Sequence, residues 1–399
     1  MFKKPTVYAL LLIPLVLLAA CEQGGDAQRS DKYLSLEEIR AETETLPDFD
    51  TKYQNLDLSE TSVYIPDVDA INNFSLFPVY PNADEREALL LEAAQKFGRE
   101  DADENNIIYQ SFTSEYFPYS EVKGDPDRDD YYFIKYQTDN LDLGINIGGN
   151  YLYARRTEIA EIAEWENSDY WIEYGKLKNT YDLRKEIPDI SVTLQDGEQS
   201  LAEIVENMMG TLPNGMPYYT NDDLKLRPFE ANVYALGDGS GVDVSFYYEY
   251  EGVPLDHGRY MSNLETDEVS MRRGLYPEAS AAWNDSVDEL YGAYIYKAVP
   301  SGESNDKFIS LGDFIAILSE KLTGNTRFNV ESIELSYGLT GIYPDEFYST
   351  EGAMLGDYMP VELVAEPVWI GYIPQTGIAD TPHIRVVVNA VTGDIEVLS

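Results

Sequence analysis

The sequence predicts an α+β fold made of tandem units, in each of which one helix packs on an antiparallel sheet. Three stretches, which begin near Asp84, Ser200 and Ser310, carry apolar residues at the i, i+3, i+4, i+7 spacing of an amphipathic helix. Each is followed by segments rich in aromatic and β-branched residues, which favour strands. The helix starts lie about 110 residues apart, as in a repeated unit. An α+β protein without true repeats would give the same pattern, so both interpretations stay open.

The predicted helices carry start and stop signals. A polar or acidic residue precedes an acid by three positions, as in a capping box, at Asp84 and Glu87, Ser200 and Glu203, and Ser310 and Asp313. Glycines that are expected to close these helices stand at 98, 210 and 324. Ser35 and Glu38 have the same spacing and predict a short early helix. Two further helices are predicted over 157–165 and 278–290.

The strand-like segments are concentrated after each helix. They cover 107–112, 131–136, 143–153, 231–236, 242–250, 291–299, 330–337, 361–373, 383–389 and 395–398. The last two are joined by Ala-Val-Thr-Gly-Asp at 390–394, which predicts a hairpin turn.

The C-terminal unit resembles a PepSY or YycI-type module. The segments that carry the resemblance are SLGDFIAILSEKLTG, VESIELSYGL, PVWIGYI and HIRVVVNAVTGDIEVL. A second, shorter likeness lies in VDVSFYYEYEGVPLD of the middle unit. The resemblance implies an extracytoplasmic protein, because members inhibit peptidases or restrain membrane sensor kinases. Those kinase regulators keep a membrane helix, whereas this chain begins with a different kind of leader.

The leader is MFKKPTVYALLLIPLVLLAAC. Its apolar run from 7 to 20 is shorter than the roughly 20 residues of a membrane span and is typical of a signal peptide. It ends in Leu18-Ala19-Ala20-Cys21, which resembles the lipobox of bacterial lipoproteins. The resemblance implies that the Cys21 thiol receives a diacylglycerol with acyl chains such as palmitate, that the leader is cleaved between Ala20 and Cys21, and that the chain is anchored on the extracytoplasmic face of the cell membrane. Taken whole, the chain is similar to large uncharacterised lipoproteins of Gram-positive anaerobes.

The charge of the chain restricts its partners. With 28 Lys and Arg against 72 Asp and Glu, the formal net charge is −44. A nucleic acid is not expected to bind, because phosphate recognition needs clustered basic residues. Cys21 is the only cysteine, so no disulfide is expected, and a chain of 399 residues can bury a large core without one.

These observations predict six segments. They are a signal peptide at 1–20, a lipid anchor and flexible tether at 21–33, an irregular N-terminal arm at 34–81, and three α+β units at 82–198, 199–300 and 301–399, the last of them PepSY/YycI-like.

The search for chemistry finds one weak candidate cation site. Asp125, Asp127, Asp129 and Asp130 lie in GDPDRDD, and the first three match the odd-numbered acidic positions of an EF-hand loop. Position six lacks the glycine and position twelve lacks the glutamate, so a solvated acidic loop is the alternative. His257 and His383 are the only histidines and lie far apart in sequence, so no zinc site or other cofactor is predicted. Ser240 lies in a glycine-rich loop with the wrong register for a nucleophile elbow.

Tyrosine is common, at 32 residues, and forms clusters with tryptophan. These are Trp165, Tyr170, Trp171 and Tyr174; Tyr218 and Tyr219; and Tyr247, Tyr248 and Tyr250. Such clusters serve either a binding face or strand packing. The sequence thus predicts a non-catalytic interaction or regulatory module with an envelope protein partner. The alternatives are a binder of cell-wall glycan or peptide and an envelope hydrolase, which would need a buried carboxylate pair in a deep pocket.

Overall fold

A computed structural model describes most of the chain after the leader. The described residues are 33–78, 82–96, 102–112, 119–122, 133–138, 141–146, 151–155, 177–184, 186–194, 197–211, 224–236, 239–256, 278–283, 287–294, 296–323, 327–342, 361–374 and 384–398. Together they form a sheet-rich fold of mixed helices and strands with few helices, which confirms the predicted α+β class at that level. No helix among them is both long and apolar enough to cross a membrane.

Five α-helices lie in these ranges. They are α1 (Leu36–Glu42), α2 (Leu46–Lys52), α3 (Ala83–Lys96), α4 (Leu201–Thr211) and α5 (Leu311–Lys321), with 3₁₀ turns at Thr43–Thr45 and Glu104–Asn106. The predicted early helix and all three unit helices are therefore confirmed. Gly210, however, lies inside α4 instead of closing it, and Gly98 and Gly324 lie outside the described residues. Ser200 accepts from the backbone N–H of Glu203 at 3.2 Å, and the Glu203 carboxylate accepts from the Ser200 N–H at 3.1 Å, so this capping box forms as predicted.

The first unit helix begins earlier than its predicted cap. Asn82 accepts from the backbone N–H of Glu85 at 3.0 Å, and the Glu85 carboxylate accepts from the Asn82 N–H at 2.8 Å. Asp84, the predicted cap, instead lies in the first turn, where an acid favours the positive end of the helix dipole.

The strands are numbered in chain order. The N-terminal strands are β1 (Tyr33–Leu34), β2 (Leu56–Asp57), β3 (Ser62–Tyr64) and β4 (Ile71–Pro78). The next are β5 (Ile107–Phe112), β6 (Tyr119–Val122), β7 (Phe133–Thr138), β8 (Leu141–Asn146), β9 (Tyr151–Arg155), β10 (Leu177–Asp182), β11 (Ser191–Leu194) and β12 (Gly197–Ser200). The central strands are β13 (Leu224–Leu236), β14 (Gly239–Tyr250), β15 (Val253–Pro254), β16 (Glu278–Trp283), β17 (Val287–Tyr294) and β18 (Tyr296–Asn305). The last are β19 (Phe308–Ile309), β20 (Phe328–Asn329), β21 (Ser332–Ile342), β22 (Glu362–Ile373), β23 (Ile384–Asn389) and β24 (Ile395–Leu398).

The larger sheet has eleven strands in the order β10-β13-β14-β16-β17-β9-β8-β7-β5-β6, with β15 paired to β14. Its strands come from both the first and the second predicted unit. Along β14, even-numbered residues from Val242 to Tyr250 are buried, and odd-numbered residues from Asp243 to Glu249 are half-buried. Because side chains alternate across a strand, one face of this sheet packs on the core and the other is polar.

The smaller sheet has seven strands and combines two strands from the N-terminal part of the chain with strands from its C-terminal part. Its order is β18-β4-β22-β21-β3, with β23 paired to β22 and β24 to β23. Three short pairs, β1 with β19, β2 with β20 and β11 with β12, lie outside the two sheets. The segment predicted as an irregular arm instead forms β1 to β4, α1 and α2. The strands that pair with β1 to β4 lie more than 200 residues away in sequence, so no local pattern predicts this pairing.

The core of the C-terminal part lies between α5 and β22. Phe314 stacks on Trp369 with ring centroids 5.5 Å apart, and the Trp369 indole N–H donates to the Ile309 carbonyl at 3.2 Å. Gly371 lets the helix approach closely, because a Cβ there would lie 3.1 Å from the Leu318 side chain. A helix therefore packs on an antiparallel sheet in this part of the chain.

One predicted helix is wrong. Residues 278–283 form β16 and residues 287–290 begin β17, and these strands pair with each other and with β14 and β9 on either side. The alanines of this segment favour a helix, but ladder hydrogen bonds on both sides outweigh that local preference. The other predicted helix, 157–165, lies outside the described residues.

The two sheets meet at a buried aromatic cluster. Phe74 of β4 stacks on Tyr250 of β14, with ring centroids 3.9 Å apart. It also meets Tyr337 of β21 edge-on, with ring centroids 4.8 Å apart. A parallel bridge joins Leu255, just after β15, to Tyr337. Asp256 continues this contact through its backbone N–H, which donates to the Tyr337 carbonyl at 2.8 Å, and through a buried ion pair with Arg385 of β23. This junction positions the cleft described below.

Candidate functional site

An open cleft of about 300 Å³ lies beside the junction of the two sheets. Strand β3 pairs with β21 at residues 332–334, and Leu255 bridges to β21 at Tyr337. Leu335 lies between these two contacts and lines the cleft. The smaller sheet contributes Val63, Tyr64, Ile65, Pro66, Glu334 and Leu335. Arg184 and the larger sheet contribute the rest, namely Phe229, Tyr247, Glu249, Gly252 and Pro254.

Hydrogen bonds fix one rim of the cleft, and a tight turn fixes the other. On one rim, the Arg40 guanidinium donates to the carbonyls of Pro66 at 2.5 Å and Val68 at 2.8 Å. On the other, the β14–β15 hairpin turns at Glu251 and Gly252, whose φ angles are 48° and 86°. A side chain at Gly252 would also meet Val68 at 3.0 Å, so this turn needs glycine for both conformation and space.

Arg184 lies at the centre of a charged network between the sheets. Its guanidinium donates to Asp182 at 2.8 Å, to the Tyr64 hydroxyl at 2.9 Å, and to the Glu334 carboxylate. It also stacks on the rings of Tyr64 and Phe229, at 3.7 and 4.6 Å from their centroids. The Tyr64 hydroxyl in turn donates to Asp182. The cation is therefore engaged by two carboxylates, a hydroxyl and two rings.

Burial and this network shift the acidities of the group. Burial alone would raise the pKa of Asp182, but hydrogen bonds from Arg184 and Tyr64 lower it to about 2. Burial raises the pKa of Glu334, and the Arg184 cation opposes this shift. Burial, reinforced by Asp182, raises the pKa of Tyr64 to about 12. Burial lowers the pKa of Arg184, but Asp182 and Glu334 outweigh it and raise that pKa overall. Arg184 and Asp182 are thus charged across the neutral pH range.

The outer wall of the cleft is aromatic and acidic. The Tyr247 ring meets Phe229 edge-on at 6.1 Å, and burial, reinforced by Glu249, raises the pKa of Tyr247 to about 12. The Glu249 carboxylate pairs with Arg227 at 3.3 Å. Chemically, this wall offers an apolar ring beside a carboxylate whose partner cation lies nearer the surface.

The structure places the residues predicted from the sequence in different ways. Ala20, Cys21, Asp125, Asp127, Asp129, Asp130, His257 and His383 lie outside the described residues, as do the clusters around Trp165 and Tyr218. Tyr248 and Tyr250 are buried in the core, which fits strand packing, whereas Tyr247 lines the cleft. Ser240 is buried at the start of β14, where its hydroxyl accepts from the Lys178 ammonium at 2.8 Å. Among the described residues, no group of three or more His, Cys, Asp or Glu could hold a metal ion.

Several cleft residues gave no sequence signal. Tyr64, Arg184 and Glu334 are separated by more than 100 residues each and belong to no motif. The alternation of β21 alone would place Glu334 on a solvent face, whereas this residue is buried because Arg184 covers it. Only the tyrosine cluster at 247–250 pointed to part of the site.

Asp243, on the polar face of β14, makes stability depend on pH. Burial raises the pKa of this carboxyl to about 7. In an unfolded chain an aspartate titrates near pH 3.9, so between about pH 4 and 7 the folded state keeps a proton that the unfolded state has released. The free energy of unfolding therefore falls as the pH rises through that window.

We expect Asp243→Asn to remove this loss. At pH 8 the substitution should raise the free energy of unfolding by about 1 to 2 kcal/mol, and near pH 4 it should have no effect. The expected gain is smaller than the full pKa shift implies, because Asp243 is only half-buried. Urea unfolding at pH 4, 6 and 8 measures it, with Asp69→Asn, at an exposed position, as a control of equal charge change. A gain of the same size at all three pH values would contradict the assignment.

The fold defines a class of sheet-rich proteins with few helices, and a solved structure shares it. A crystal structure of an uncharacterized protein from Eubacterium rectale is similar to this chain, with a TM-score of 0.50 and 14% sequence identity, over 85% of this chain and 90% of that chain. At this identity the likeness shows the fold alone. No protein-family model matches the chain, and no curated protein matches its sequence.

Proposed function

We propose that this chain is a lipoprotein, anchored through Cys21 on the extracytoplasmic face of the cell membrane, that binds a peptide or protein partner and catalyses no reaction. The observation that carries the proposal is the open cleft at the sheet junction, which has an aromatic wall. The lipobox-like leader supports the membrane location, since acyl chains on one cysteine hold a folded body at a bilayer surface.

The C-terminal part supports a role in the envelope. The packing of α5 on β22, and the hairpin from β23 to β24 with Gly393 at a φ of 79°, fit a PepSY/YycI-like module over 301–399. We extend this proposal to the whole chain as tandem helix-on-sheet units, in which the strands that follow α3 and those that follow α4 join in the larger sheet.

The charges of the cleft favour binding over hydrolysis. A hydrolase needs a carboxylate free to donate or accept a proton at the reacting bond. Here Glu334 is engaged by Arg184, and Glu249 is paired with Arg227. A cell-wall glycan is the second candidate, because Tyr247 and Glu249 would offer a ring and a carboxylate to a sugar.

In-cell crosslinking, followed by mass spectrometry of the membrane fraction, tests the proposal. We expect the native chain to capture one recurrent envelope protein. Tyr247→Ala should lower this capture about tenfold, because aromatic anchors at the centre of an interface contribute most of its energy. Cys21→Ala should release the chain from the membrane and abolish the capture.

Tyr33→Ala is the matched control, because Tyr33 is an exposed tyrosine on β1 that does not line the cleft. Equal losses in the Tyr33 and Tyr247 variants would place the partner elsewhere on the surface. Crosslinks to abundant bystanders alone would contradict a protein partner, and membrane retention of the Cys21 variant would contradict the anchor.

A further inference from the structure

We infer that the cleft takes an extended basic peptide segment, with a cationic side chain at Glu249 and a neighbouring apolar side chain against Tyr247. This inference rests on the proposed function and specifies its ligand.

The backbone argument concerns the shape of the cleft. Four consecutive residues, from Val63 to Pro66, line one wall. Within the described residues, β3 pairs along one side only, with β21. An extended peptide that lies along such a row of consecutive residues can place its alternate side chains in the pockets of the cleft.

The charge argument concerns Glu249. Its side chain is 16% exposed, whereas that of Arg227, its partner at 3.3 Å, is 47% exposed. Because the cationic partner of this pair is half exposed, the pair contributes little stability, and a ligand cation can replace Arg227 at Glu249 at modest cost. The net charge of −44 would also attract a basic segment before contact.

The same network disfavours an anionic ligand. Arg184 is only 14% exposed and already contacts Asp182, Glu334 and Tyr64. A ligand carboxylate or phosphate would have to take this cation from two carboxylates in a buried setting, which leaves a buried charge unpaired.

Selection from a displayed library of random eight-residue peptides on the purified full-length chain tests the inference. The enriched peptides should carry Lys or Arg next to an apolar residue. The affinity of one enriched peptide, labelled with a fluorophore, is then measured by anisotropy. We expect Glu249→Gln to weaken it about tenfold and Arg227→Gln to strengthen it about threefold, because the latter removes the internal competitor.

Glu38→Gln and Lys307→Gln are the matched controls. They form an exposed ion pair at 3.5 Å outside the cleft, so they change the net charge equally and should leave the affinity within about twofold. Melting temperatures of all four variants verify folding.

The outcomes distinguish the proposed binding of a peptide from the inferred basic ligand at Glu249. Enrichment of acidic or uncharged peptides would overturn the basic ligand while leaving peptide binding intact, and basic peptides indifferent to Glu249→Gln would overturn the site. Failure to enrich any peptide would count against the proposed function itself.

Discussion

Arg184→Ala is expected to lower the free energy of unfolding by about 3 to 5 kcal/mol, since removing one partner of a buried ion pair leaves the other charge uncompensated. The uncompensated group is Glu334, whose side chain is only 6% exposed. The substitution also removes the cation that stacks between Tyr64 and Phe229. Urea unfolding followed by circular dichroism at pH 7 measures the loss.

Two further variants test whether the loss of stability in Arg184→Ala comes from the buried ion pair with Glu334. Arg227→Ala removes a guanidinium of the same kind from a more exposed pair and should cost about 0 to 1 kcal/mol. Adding Glu334→Gln to Arg184→Ala should recover part of the stability, because the buried carboxylate becomes neutral. A loss below about 1 kcal/mol in Arg184→Ala, or no recovery in the double variant, would contradict the buried network.

Phe74→Ala is expected to cost about 3 to 5 kcal/mol, the usual range for a buried phenylalanine reduced to a methyl group. Phe74 is fully buried and contacts Tyr250 of the larger sheet and Tyr337 of the smaller one. Its ring therefore fills the junction between the sheets, and its loss leaves a cavity that two tyrosines cannot close without moving their strands.

Phe77→Ala is the control for this prediction. Phe77 lies three residues further along the same strand but is exposed, so its loss should change stability by less than about 1 kcal/mol. Thermal unfolding of the two variants side by side gives the comparison. Similar melting temperatures for both would show that the junction does not depend on the Phe74 ring.

The Arg184→Ala and Phe74→Ala variants also test the cleft, because its walls belong to different sheets. Arg184 joins β10 to β21 through charge, and Phe74 joins β4 to β14 and β21 through packing. Weakening either contact should loosen the spacing between Tyr64 and Tyr247, and with it peptide affinity. The charge variants at Glu249 and Arg227 should act without that loosening, since this ion pair lies within the larger sheet, between β13 and β14.

The helices α1, α3, α4 and α5 and about half of the strands could be predicted from the sequence, because their signals are local. Ser200 and Glu203 cap α4 as their spacing predicted, and the alternation from Val242 to Tyr250 gave β14 its buried face. The predicted helix over 278–290 failed where strand pairing outweighed local preference. The leader and the acidic loop at 125–130 stay predictions.

The sequence by itself therefore determined the class of fold, the places of α1, α3, α4 and α5, and the alternation of strands such as β14, because periodicity and capping act over a few residues. Only the tertiary structure decided which strands pair. β1, β2 and β3 join β19, β20 and β21 across more than 250 residues, and strands from two predicted units share one sheet. The cleft depends on that decision, since Tyr64, Arg184 and Glu334 meet only when burial of apolar surface brings distant strands together.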